Sequence, residues 1–112
     1  MDLLSNKVIG AAIEVHRTLG AGLLESASEA CWAEELRRQQ ILARVQVAVP
    51  VTYKGLRLPV GYRIDLLVAD AIVVEIKAAR ALRPVHRAQL MTYLRFSQLH
   101  LGILFNFHSQ VL

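Results

Sequence analysis

Residues 61–78 constrain this chain more than any other stretch. GYRIDLLV (61–68) and IVVEIKA (72–78) are apolar, strand-sized runs separated only by Ala69, Asp70 and Ala71. They read as two consecutive strands. Three charges interrupt them: Asp65 in the first, Glu75 and Lys77 in the second. Glu75 and Lys77 are two apart and so project from one face of a strand. If Ala69, Asp70 and Ala71 form a three-residue loop, Val68 pairs with Ile72 and Asp65 falls opposite Glu75. A two-residue turn would slip the register by one and send Asp65 to the other face. We expect the odd-length loop.

The flanking sequence supplies the rest of a domain. Apolar residues at Val8, Ile9, Ala12, Ile13, Val15 and Leu19 follow Ser5, which predicts a helix capped by Ser5 and ended by Gly20. A second helix is expected over residues 24–40, with Glu25, Ser28, Trp32 and Leu36 sharing its inward face and Glu25 at its buried N-terminal end. Residues 44–53 (RVQVAVPVTY) alternate as one strand, with Pro50 marking an edge or a bulge. Lys54-Gly55 reads as a turn with a short return through residues 56–58. Pro84 suits the first turn of a helix reaching about residue 96, and residues 100–107 (HLGILFNF) form a last strand.

At 112 residues the chain holds one core, so residues 1–112 are read as a single domain. A hydrophobic fraction of 54% excludes a disordered chain, yet no run reaches the roughly 18 apolar residues of a membrane helix. MDLLSNKVIG lacks a signal-peptide pattern, and a single cysteine, Cys31, fits a reducing compartment. A soluble, cytoplasmic protein is expected. Four histidines without cysteine partners at ligand spacing argue against zinc. The net charge of +4 is compatible with a nucleic-acid partner without demanding one.

Two carboxylates facing each other in an apolar setting repel, which costs several kcal/mol unless a cation neutralises them. Lys77 can do part of this. Mg²⁺ or Mn²⁺ would do it better, held by Asp65, Glu75 and the backbone carbonyl of Ile76, with positions left open for water and phosphate. A lysine beside such an ion can orient the attacking water or hold developing negative charge, the chemistry of metal-assisted phosphodiester hydrolysis. Glu25 can reach the same site from its helix end, where the dipole favours a carboxylate. Arg80, Arg83, His86 and Arg87 form a basic cluster a phosphate backbone would meet, and Gln89 can contact a phosphate or the water. The rival reading of E-x-K is an ordinary cross-strand ion pair on a solvent-facing side.

The order of elements, with D…ExK on adjacent strands, resembles the PD-(D/E)XK nuclease superfamily, and within it the GxxExxY proteins. The matching stretches are IGAAIEVHRTLGAGLLES (9–26), GYRIDLLVAD, VVEIKA, HRAQLMTYL and LGILFNF. The resemblance implies an α/β (α+β) restriction-endonuclease-like core, α-β-β-β-α-β with an extra N-terminal helix, its mixed central sheet flanked by helices. It also implies Mg²⁺-dependent cleavage of nucleic acid, DNA before RNA. Asp65 and Glu75 would be metal ligands, Lys77 the catalytic lysine, Glu25 the helix-borne acid and Gln89 the helix glutamine. Arg80, Arg83 and Arg87 would hold the backbone. The chain departs from the pattern at Ser28, where the family carries tyrosine, which bears on packing or substrate contact more than on metal binding. A catalytically silent module that binds nucleic acid or a protein, and a structural domain that covers its apolar surface as a homodimer, are the competing expectations.

Overall fold

The structure is a computed structural model that describes residues 3–20 and 24–107. Two helices, α1 (Leu3–Leu19) and α2 (Glu25–Arg38), precede five strands: β1 (Ala43–Ala48), β2 (Val51–Tyr53), β3 (Leu56–Leu58), β4 (Arg63–Val68) and β5 (Ile72–Lys77). Helix α3 (Pro84–Ser97) and strand β6 (Leu101–Asn106) follow. The main sheet has the order β1-β4-β5-β6, antiparallel across its first three strands and parallel between β5 and β6. This is the mixed sheet of an α+β, restriction-endonuclease-like fold.

Helices cover both faces. On one side α1 and α2 bury Val8, Ala12, Val15, Trp32 and Leu36 against Leu66, Val68, Ile72, Val74 and Ile76. Trp32 is fully buried, donates its indole N–H to the Val8 carbonyl at 3.0 Å, and meets Phe105 and Phe107 edge-on. That bond ties α2 to α1 within an apolar cluster, where an unpaired indole would be costly. On the other side α3 buries Leu90 and Tyr93 against Ile64, Leu67 and Val73.

The local signals explain most of the boundaries. Gly20 ends α1 at φ +81°, with its N–H returning to the His16 carbonyl at 2.8 Å, as the expected C-terminal glycine should. Ser5 does not cap this helix: α1 begins two residues earlier and Ser5 is buried inside it. Ala21 and Gly22, the rest of the expected turn, lie outside the described residues. Pro84 occupies the first turn of α3.

The run over residues 44–53 is not one strand. β1 stops at Ala48, and Pro50, which has no N–H to donate, sits between β1 and β2. β2 leaves the main sheet and pairs only with β3, as a separate two-stranded arm. Lys54 and Gly55, at φ 50° and 78°, turn that arm with the left-handed pair a tight hairpin requires. The arm interrupts the expected α-β-β-β-α-β order between its first two strands.

Candidate active site

The β4–β5 hairpin has the expected register. Val68 pairs with Ile72, Leu67 with Val73 and Leu66 with Val74, and the three-residue connection bends through Ala69 and Asp70 at positive φ. One step further along, the ladder gives way to side chains. The Asp65 N–H donates to Glu75 Oε1 at 3.3 Å, and Asp65 Oδ2 accepts the Ile76 N–H at 2.8 Å. The Asp65 carboxylate therefore takes a backbone donor that would otherwise face β4. On a strand the N–H and C=O of one residue point to the same edge, so the Ile76 carbonyl also faces this opening.

Alternation along the strands breaks at the same level. Ile64 packs on the α3 side and Leu66, two residues later, on the α1–α2 side, although residues two apart on a regular strand share a face. In β1 the matching residue is Gln46, at φ 52°, which lies between the Val45–Leu66 and Val47–Ile64 pairs. Gln46 donates from Nε2 to Glu29 Oε2 at 2.7 Å and to Asp65 Oδ1 at 3.3 Å. This irregularity brings α2, β1, β4 and β5 to one point.

Glu75 is 2% exposed, which removes the reading of E-x-K as a solvent-facing ion pair. Burial first, and then the neighbouring Asp65 charge, push its carboxyl up to about 8, opposed by the bond from the Asp65 N–H and, after it, by the Lys77 charge. The Lys77 ammonium lies 3.5 Å from Gln89 Oε1, and among the described residues it makes no ion pair with either carboxylate. Gln89 is half-buried, donates from Nε2 to the Tyr93 hydroxyl at 3.1 Å, and so links Lys77 to the core of α3. Burial, followed by the Glu75 charge, raises the Tyr93 phenol.

Glu25 is exposed at the first residue of α2, not buried as its helical face suggested. The reason is its place at the helix end, from which Oε2 accepts the Ala78 N–H at 2.8 Å. That bond fixes the chain one residue past Lys77. Arg80, Arg83 and Arg87 are exposed along the β5–α3 connection and the start of α3. The Arg83 N–H donates to His86 Nδ1 at 3.1 Å, closing the first turn of α3. Ser28 is fully buried, and its hydroxyl has no hydrogen-bond partner among the described residues.

Glu29 and Gln46 also belong to this neighbourhood, although neither is among the site residues the sequence predicts. The Glu29 carboxyl is raised by burial, partly offset by its Gln46 bond, and raised again by Asp65. Its position four residues after Glu25, on one helix face, was a usable signal. Charge in a helix is common, so the interrupted strands hid it.

The donor set suits a hard divalent cation. Two adjacent carboxyl groups, one of which keeps its proton up to about pH 8 because no cation neutralises the pair, share the opening with a backbone carbonyl. Among the described residues no three His, Cys, Asp or Glu side chains gather as a metal cluster. An ion here would draw on Asp65, Glu75 and the Ile76 carbonyl, with the remaining positions filled by solvent or phosphate.

The mixed sheet with helices on both faces is that of a nuclease-like fold. A family model described as the PD-(D/E)XK nuclease superfamily matches residues 2–112. The chain belongs to the PD-(D/E)XK nuclease superfamily. Comparison with curated proteins and with solved structures gives no significant match. No helix among the described residues is long and apolar enough to cross a membrane.

Proposed function

We propose that this protein is a divalent-metal-dependent nuclease, of the GxxExxY kind, that hydrolyses phosphodiester bonds in nucleic acid, DNA in preference to RNA. The observation that carries the reading is the direct bonding of Asp65 to Glu75 and Ile76 where the β4–β5 ladder stops, with Lys77 two residues beyond Glu75. Asp65, Glu75 and the Ile76 carbonyl would hold Mg²⁺ or Mn²⁺. A bound ion supplies Lewis-acid polarisation of a phosphoryl oxygen.

The chain's own groups do the rest. The Lys77 ammonium, braced by Gln89, stabilises negative charge developing on the phosphoryl group and orients the attacking water. Gln89 is a positioning residue, since Tyr93 fixes its amide from behind. Glu25 positions the strand end by holding the Ala78 N–H, and Glu29 with Gln46 orients the Asp65 carboxylate. Arg80, Arg83 and Arg87, exposed beside the site, neutralise backbone phosphates.

The alternative, a silent module that binds nucleic acid or a protein without turnover, is favoured by the absence of a third acidic or histidine ligand among the described residues. Incubation of labelled DNA and RNA with Mg²⁺ or Mn²⁺ decides between them. Cleavage by wild type that is lost in Glu75→Ala and Lys77→Ala supports the enzyme. Equal background cleavage in all three overturns it. A cytoplasmic homodimer completes the proposal: the exposed Leu82, Met91 and Leu101 beside the open edge of the sheet support the dimer, and the single cysteine, Cys31, supports a reducing compartment. Sedimentation as a monomer would contradict the dimer.

A further inference from the structure

The two-stranded arm β2–β3 has no role in the site just described. It departs from the main sheet after the Ala48–Arg63 pair, two residues before Asp65 in β4, with the Val49 N–H on the Tyr62 carbonyl at 2.8 Å. Both of its connections therefore lie at the catalytic end of the sheet. Pro50 and Pro59 flank its strands and remove backbone donors from its stem. Its tip exposes Tyr53 and Leu56, at 59% and 60%.

The charge of this segment is one-sided. Residues 45–64 contain Lys54, Arg57 and Arg63 and no Asp or Glu. Among the described residues none of these three cations makes an ion pair. Lys54 lies over the Tyr53 ring at 5.4 Å, whereas Arg17, Arg38 and Arg44 are paired with Glu14, Glu34 and Asp70 elsewhere. At the arm's base Tyr62 meets Tyr93 edge-on, with ring centroids 5.7 Å apart. Tyr93 bonds Gln89, and Gln89 bonds Lys77. The base of the arm is thus joined through packed side chains to Lys77.

We propose that the β2–β3 arm is a docking element for duplex DNA, entering its major groove while Arg80, Arg83 and Arg87 hold the backbone on the other flank of the site. Three unpaired cations in a segment without acids complement a polyanion. A B-form major groove, about 12 Å wide, admits a two-stranded β-ribbon whose strands lie roughly 5 Å apart. The deep, narrow major groove of A-form RNA does not. The inference rests on the nuclease reading of the site and narrows its substrate to duplex DNA.

The test is metal-free binding, in chelator, so that no cleavage intervenes. Fluorescence anisotropy of a short labelled DNA duplex, the matching RNA duplex and the single strand is followed between about 50 and 200 mM salt. Wild type is compared with Lys54→Ala/Arg57→Ala and with Lys7→Ala, an exposed cation on α1 away from the site. The arm variant should bind duplex DNA about tenfold more weakly, with the slope of log affinity against log salt reduced by about two. Its effect on duplex RNA and single strands should be smaller, and Lys7→Ala should leave the duplex-DNA curve unchanged. Thermal midpoints equal to wild type show that the exposed substitutions leave the fold intact.

An unchanged duplex-DNA slope in the arm variant overturns the inference, as does an equal loss on single strands. A shift from dimer to monomer with an unchanged slope assigns the arm to a second copy of the chain and overturns it as well. Wild type that binds no nucleic acid overturns both this inference and the nuclease reading. Wild type that binds and cleaves, with the arm variant indistinguishable from it, overturns only the inference.

Discussion

Substitution of Glu75 by glutamine should stabilise the metal-free protein near neutral pH. The folded carboxyl is raised from 4.5 to about 8, so between those values the native state holds a proton that the unfolded chain has released. Stability is then fully present below about pH 4.5 and declines as pH rises toward 8. At pH 7 that interval is largely crossed, and at about 1.4 kcal/mol per pH unit the penalty is on the order of 3 kcal/mol. Glutamine matches the protonated carboxyl in shape, keeps an oxygen for the Asp65 N–H, and cannot ionise. Urea denaturation in chelator across this pH range measures the difference directly. Glu75→Gln should equal wild type near pH 4.5 and exceed it by ~3 kcal/mol at pH 7. Mg²⁺ should narrow the gap by stabilising wild type alone. A wild type whose stability rises from pH 5 to 8 relative to the variant would refute the reasoning, because the Asp65–Glu75 pair would then carry no uncompensated charge.

Other outcomes follow from the same geometry. Lys77→Met should bind Mn²⁺ as wild type does and fold normally, yet lose roughly a hundredfold or more in cleavage rate; equal rates would remove Lys77 from the chemistry. Trp32→Phe removes the indole N–H bond to the Val8 carbonyl and part of a fully buried ring, and should lower stability by ~1–3 kcal/mol in chemical denaturation. Gly102→Ala places a Cβ 2.9 Å from Leu90 Cδ1, so the buried Leu90 side chain must leave its present packing, at about 1–3 kcal/mol.

The site was legible in the sequence wherever a charge interrupted an apolar strand. Asp65 against Glu75 followed from counting through Ala69, Asp70 and Ala71, and the observed Val68–Ile72 pairing confirms the count. Two-residue periodicity failed where the backbone departs from it. RVQVAVPVTY alternates throughout, but Pro50 cannot join a ladder and Gln46 takes a left-handed conformation, so one apparent strand becomes β1 and half of a separate arm. Glu29 and Gln46 escaped notice because the contact that joins them to Asp65 crosses three elements. Glu25 lies near the end of β5 as expected, but as an exposed anchor of Ala78. Its helical face was readable, whereas its exposure depended on where α2 begins relative to the sheet.

The central claim is that Asp65 and Glu75 hold a divalent ion. Calorimetric titration of Mn²⁺ into wild type and Asp65→Asn tests it most directly. Wild type should give saturable heat, and Asp65→Asn at least a tenfold weaker association, roughly 1.4 kcal/mol. Identical heats in the two proteins would contradict it.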